Sequence, residues 1–260
     1  MRFDDYLRRI GQPLSDGATA DTLRRLHVAH REAFLFENVS IQTGGAISLT
    51  LGDLERKFLD EGRGGYCFEH NTLFAAVLGD AGFESTTLLG RVRRGPPERW
   101  ARTHMVLRVP AGGETWLADV GFGSMGLIEP IPLRDGTVSE QSGLTYRLRR
   151  DAHLWILAMR DATGVEIDLY EFSDDPQTHG DVEVANHFTA THPESVFRKT
   201  LTIQRTGPTE RTLLRTDLLT RYRGGRASDE QVTRGRLRDV VRDEFGIDLP
   251  AGPLLFERTP

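Results

Sequence analysis

Over the first 83 residues apolar side chains recur at helical spacing, and from residue 84 onward the pattern changes to short β-prone runs. Segments 5–11, 21–36, 49–62 and 68–83 read as helices, with Leu23, Leu26, Val28 and Phe34 as apolar positions of the second. Gly62 and Gly82 stand where helices would stop. Segments 85–94, 103–110, 114–123, 144–151 and 153–160 are separated by Gly, Pro and Asp, a pattern that predicts an antiparallel sheet or small barrel. Beyond Asp181, residues 187–206 and 209–225 read as further strands. Residues 227–250 read as an amphipathic helix opened by Ser228, with acidic residues in its first turn. The order is helical lobe, β lobe, mixed α/β tail, an α+β fold without internal repeats.

A chain of 260 residues, 38% hydrophobic and 27% charged, has enough apolar surface for a large core. Its net charge of −5 and lack of any basic run argue against nucleic-acid binding. The first residues carry acidic groups where a signal peptide would be basic, and no segment has the eighteen consecutive apolar residues of a membrane span. A soluble, cytoplasmic protein is expected. One cysteine excludes an internal disulfide and gives no metal-site spacing, so no metal is expected. Lysine occurs only at Lys57 and Lys199.

That cysteine, Cys67, follows Gly64 and Gly65, read as a two-glycine turn, and opens an apolar helix running from Phe68 through Leu78. Free N–H groups and partial positive charge at a helix start favour thiolate over thiol and can hold an oxyanion. The alternative for Cys67 is that of a small buried hydrophobe. A base with its orienter comes from the hairpin 103–123: with a loop at 110–113, Val109 faces Glu114 and His104 faces Asp119. Opposed residues hold their Cβ atoms roughly 4.5–5.5 Å apart, a separation that suits an imidazole bonded to a carboxylate. Register decides this pairing, because a one-residue slip turns a side chain to the other face. Asp119 also lies among Leu117, Ala118, Val120 and Phe122, where an unpaired carboxylate is costly. A Cys nucleophile, a His base and an Asp orienter together mean acyl transfer or hydrolysis.

The stretches Arg63-Gly64-Gly65-Tyr66-Cys67-Phe68-Glu69, Thr103-His104, Asp119-Val120-Gly121-Phe122-Gly123 and Phe36-Glu37-Asn38-Val39 resemble the arylamine N-acetyltransferase family. Residues 191–197 and Phe245-Gly246-Ile247 extend the resemblance over nearly the whole chain, in order. It implies a helical bundle over residues 1–83, a β-barrel over 84–180 and an α/β lid over 181–260, with a cysteine-protease-like Cys-His-Asp core. It also implies a ping-pong reaction in which Cys67, His104 and Asp119 pass an acetyl group from acetyl-CoA to an arylamine, arylhydroxylamine or hydrazine. Acetyl-CoA is then a substrate, and no tightly bound cofactor is expected. By position Phe36, Phe122 and Phe197 match the family's acceptor-pocket lining, and Gly121, Gly123 and Gly126 form a loop near the donor or serve as turn glycines. Arg63 and Glu69 are expected to pair and brace the helix start. Ser124-Met125-Gly126 departs from the Gly-Gly-Gln stretch common in bacterial members, and the tail is shorter than in many relatives.

Within the same fold, amide synthases of ansamycin biosynthesis take their acyl chain from a carrier protein, which makes an acyl carrier protein the alternative partner. A cysteine peptidase or transglutaminase-like hydrolase uses the same three residue types in this order. A binding module with an inert Cys67 would lack a reactive thiol.

Overall fold

The computed structural model describes residues 1–13, 17–161, 163–207, 209–224 and 226–258, so Gly225, the last residue of one expected strand segment, lies outside them. The helical reading of the N-terminal region holds except at the end of segment 21–36, where the helix stops at Ala33 and Phe36 lies in a strand. Helices α1 (Phe3–Ile10) and α2 (Ala20–Ala33) come first, the latter opened by Thr19, whose hydroxyl accepts from the Thr22 N–H. A two-residue strand β1 (Phe36–Glu37), a short α3 (Val39–Gln42) and α4 (Leu51–Glu55) follow, and α4 runs on into a π-helical turn, Arg56–Asp60. Helix α5 (Cys67–Asp80) then packs against α1 and α2 through buried Tyr6, Leu23, Phe58, Phe68 and Phe74.

Strands β2 (Thr86–Val92), β3 (Arg102–Ala111), β4 (Glu114–Ala118), β5 (Ile131–Pro132), β6 (Thr137–Gln141), β7 (Leu144–Asp151), β8 (Leu154–Arg160) and β9 (Glu166–Ser173) form one antiparallel sheet. Its order is β5-β4-β3-β2-β9-β8-β7-β6, a nearly closed barrel. The two edges are laced together by Gln141, whose Oε1 accepts from the N–H groups of Ile128 (2.8 Å) and Glu129 (3.0 Å). Closure leaves little unpaired edge. Inside lies a second core that includes Leu88, Val106, Tyr146, Leu157 and Tyr170.

The β3–β4 register differs from the expected one by two residues: Ala111 faces Glu114 and Val109 faces Trp116. Gly112 and Gly113, at φ +61° and +82°, make a two-residue turn of the type that matches strand twist. An even shift preserves the face, so Asp119 stays on the side of His104 although the ladder ends at Ala118.

The remainder comprises α6 (His179–Thr191), α7 (Val196–Lys199), β10 (Thr202–Thr206), β11 (Arg211–Arg215), β12 (Leu218–Arg223), β13 (Arg226–Gln231) and α8 (Leu237–Phe245). Two expectations fail here. Residues 187–199, read as strand, are mainly helical: Thr178 and Ser195 cap α6 and α7 by accepting the N–H groups of Asp181 and Phe197, and the hydroxyls of Thr189 and Thr191 are satisfied by the carbonyls of Ala185 and His187. Ser228 does not open a helix: it sits in β13 opposite Arg221, and α8 begins at Leu237. A paired ladder here outweighs a local capping signal.

The second sheet has the order β1-β10-β11-β12-β13, so its edge strand comes from the N-terminal region. Conversely, Val182, Ala185 and Ala190 of α6 belong to the first core. Among the described residues no helix is long and apolar enough to cross a membrane.

Candidate active site

Cys67 is the first residue of α5, as expected, and is 3% exposed. The glycines before it do not form a turn. Gly65 bridges to Phe36 in parallel fashion, its carbonyl accepting the Glu37 N–H at 2.7 Å. Glycine is required at Gly64 by close approach, since a Cβ there would lie 1.7 Å from the Leu35 carbonyl oxygen. The helix that Cys67 opens is thereby clamped to the segment 35–37.

His104, on β3, and Asp119, just beyond β4, meet as the sequence predicted: His104 Nε2 lies 2.7 Å from Asp119 Oδ2, and both residues are buried. Asp119 leaves Nδ1 of this imidazole open, and Cys67 lies close enough to help raise the ring. The sulfur also lies 3.7 Å from the Thr103 carbonyl oxygen. Burial disfavours the imidazolium, but the Asp119 charge and hydrogen bond, with smaller help from Cys67, push His104 up to about 10. Burial likewise works against the Asp119 carboxylate. His104, the Gly121 N–H and the Asn71 amide overcome it and bring Asp119 down to about 2.

Of the three phenylalanines, Phe122 packs edge-on to His104 with ring centroids 4.9 Å apart. Phe36 and Phe197 lie 6.2 Å from each other, and Phe197 stands 5.3 Å from Tyr66, the residue before Cys67. All three are partly exposed. The loop glycines serve internal packing: a Cβ at Gly121 would lie 2.7 Å from Cys67 Cα, and one at Gly126 would meet Phe122. Gly123 takes φ +78° beside the Gln204 amide.

The expected Arg63–Glu69 pair does not form. Arg63 Nη2 donates to Glu37 Oε1 at 2.7 Å, and Glu69 is paired with Lys57 at 2.6 Å, because the clamp on segment 35–37 brings Glu37 within reach of Arg63. His70 turns away from Asp119 and joins a buried chain. Its Nε2–H donates to the Leu35 carbonyl (3.0 Å), so its Nδ1 accepts from His30 (2.8 Å), whose Nδ1 accepts the Tyr6 hydroxyl (2.7 Å).

Several residues were not anticipated. Asn71, four positions after Cys67 and hence on the same helix face, donates to Asp119 Oδ1 (3.1 Å) and accepts the Val120 N–H (3.2 Å). His27 Nε2 accepts the Asp119 N–H at 3.1 Å. Arg31, buried, donates to the carbonyls of Gly123, Gly126 and Leu127 and so fixes the loop that carries Phe122. The Tyr170 ring packs against His104 at a tilt of 50°, centroids 4.7 Å apart, and its hydroxyl is buried. The i, i+4 spacing from Cys67 marks Asn71; His27, Arg31 and Tyr170 have no local signal. Among the described residues no group of His, Cys, Asp or Glu is arranged to hold a metal.

Residues 19–253 match the family model described as N-acetyltransferase. The arylamine N-acetyltransferase of Escherichia coli K12 is 34% identical over 93% of this chain and 87% of its own. The arylamine N-acetyltransferase / N-hydroxyarylamine O-acetyltransferase of Salmonella typhimurium is 37% identical over 88% and 83%. Among solved structures, that of the Mycobacterium smegmatis enzyme superposes with a TM-score of 0.90 at 34% identity, covering 99% and 97% of the two chains. The Mycobacterium marinum enzyme in complex with CoA gives 0.87 at 34% identity over 94% and 92%.

Proposed function

The chain belongs to the arylamine N-acetyltransferase family, and from that premise we propose that it moves an acetyl group from acetyl-CoA to an arylamine, arylhydroxylamine or hydrazine nitrogen through an S-acetyl Cys67 intermediate. The observation that carries this reading is the buried His104–Asp119 contact of 2.7 Å beside a cysteine at a helix start. The same reading divides the chain into lobes 1–83, 84–180 and 181–260, with β1 and α6 crossing between them.

In the first half-reaction the Cys67 proton already rests on His104 Nδ1, and the thiolate sulfur attacks the thioester carbonyl carbon. The tetrahedral intermediate then collapses, the carbon–sulfur bond to coenzyme A breaks, and His104 returns the proton to the departing thiolate. In the second half the amine attacks the acetyl carbon, His104 takes its proton, and Cys67 leaves. Asp119 fixes the imidazole through Nε2 and stabilises its charge in both halves. The half-exposed Phe36, Phe122 and Phe197 offer apolar surface for an aromatic acceptor.

The test is intact-protein mass after mixing with acetyl-CoA, for wild type and Cys67→Ala, followed by an aniline or hydrazine. One acetyl adduct on wild type alone, discharged by the amine, is expected. A reactive Cys67 that takes nothing from acetyl-CoA would instead indicate a carrier-bound acyl donor.

A further inference from the structure

Four charged side chains meet behind the first turn of α5. Lys57, on the π-helical turn, holds Nζ 2.6 Å from Glu69 Oε1 and 3.7 Å from Glu37 Oε1. Glu37 has a second cation in Arg63, which also reaches Ser40. Among the described residues Lys57 is the one cation within ion-pair distance of Glu69, whose side chain is 3% exposed. The other carboxylate oxygen of Glu69 accepts the Tyr66 N–H at 3.1 Å, closing the helix start one residue before Cys67. A Cβ on Gly65 would strike this carboxylate at 2.5 Å, so the glycine before Tyr66 makes room for it.

A helix N-terminus carries the equivalent of about half a positive charge. A full negative charge on Glu69, buried two residues past Cys67, more than cancels that field unless a cation stands with it. Backbone geometry supplies one: the π turn carries Lys57, and its carbonyl accepts the Arg63 N–H at 3.1 Å, tying it to the stretch that enters Gly64.

We propose that Lys57 is a positioning residue for Cys67, neutralising the Glu69 cap so that the start of α5 remains a net-positive seat for the sulfur. This rests on the reading of Cys67 as nucleophile. Burial opposes the Lys57 ammonium, but Glu37 and Glu69 together hold its pKa above the ordinary value. The other groups around this seat are His104 from β3 with Asp119 behind it, Tyr66 and His70 of the same stretch, Glu37 from β1 and Arg63.

The experiment follows alkylation of Cys67 by iodoacetamide against pH, by intact mass, alongside acetylation by acetyl-CoA. Lys57→Met is expected to raise the alkylation midpoint by about one pH unit and slow acetylation at neutral pH about tenfold. Lys57→Arg is expected to keep the wild-type profile, and Lys57→Met with Glu69→Gln to recover it. A Lys57→Met profile that superimposes on wild type, or a double variant no better than the single, overturns the proposal. Should Lys57→Met fail to fold, Glu69→Gln alone decides: a lowered midpoint supports the proposal, and an unchanged or raised one refutes it. A wild type that alkylates but gains no acetyl group counts against the acetyl-carrier reading while leaving the Lys57 comparison intact.

Discussion

Asn71 stands one helical turn beyond Cys67 and donates to Asp119 Oδ1 across 3.1 Å, so a single helix carries both the candidate nucleophile and a brace for the carboxylate that orients its base. The same amide donates to the Met105 carbonyl at 2.8 Å, next to His104. Asn71→Ala is expected to lower kcat about ten- to hundredfold, the size of a hydrogen bond to a charged group, with KM for the amine little changed. Steady-state kinetics split into kcat and KM would check it.

Asp119→Asn tests the orienter itself. An amide in place of the carboxylate removes the charge that raises His104 and admits the wrong tautomer, and a loss of about 10³ to 10⁴ in the rate of Cys67 acetylation is expected. Single-turnover acetylation followed by mass is the measurement.

The pH dependence of the pair has a definite sign. His104 is raised to about 10, so its contribution to stability is full below the ordinary imidazole value and is lost as pH climbs through about 10. Asp119 is lowered to about 2, so its share is full above the ordinary carboxylate value and is lost as pH falls through about 2. Between about 4 and about 10 the imidazole should therefore stay doubly protonated in the free enzyme. Nitrogen chemical shifts of His104 across that window would reveal a neutral ring if this is wrong.

The remaining buried histidines act in the opposite direction. Burial holds His27 and His70 down to about 4, and His30 is lowered as well. The unfolded chain takes up protons below about 6.5 that these folded rings refuse, so stability is full above that value and falls as pH drops toward about 4. The loss is on the order of 3 kcal/mol for each of His27 and His70. Thermal midpoints measured from pH 7 to 4.5 should fall steeply in wild type and less steeply in His70→Gln, which keeps a polar group at the Leu35 carbonyl.

Gly121→Ala places a methyl 2.7 Å from both Cys67 Cα and the Asn71 amide nitrogen. A destabilisation of about 1–3 kcal/mol is expected from overpacking, together with loss of acetylation, because Asp119 and Cys67 are pushed apart. Denaturant titration and the acetylation assay together separate the two effects.

The sequence revealed most where chemistry and periodicity agree. Cys67 at a helix start and His104 on the face of Asp119 were both legible, the latter despite a register two residues off, because face depends on parity alone. The Arg63–Glu69 pairing misled because partners of a buried charge are chosen in three dimensions: Glu37 and Lys57 arrive from β1 and a π turn. Ser228 and the segment 187–199 misled because a capping residue and a β-prone run state only local preferences. Arg31, satisfied by three backbone carbonyls, has no pattern in sequence at all.

The crossing of β1 and α6 between regions sets a timetable for synthesis. Tyr66, beside Cys67, donates its hydroxyl to the Asn186 carbonyl 120 residues further along the chain, and β1 finds its ladder partner in β10. While the ribosome is still adding the barrel, the segment around Cys67 has neither its neighbour Asn186 nor the strand that pairs with Phe36. The thiol therefore gains these neighbours only after the third region has emerged.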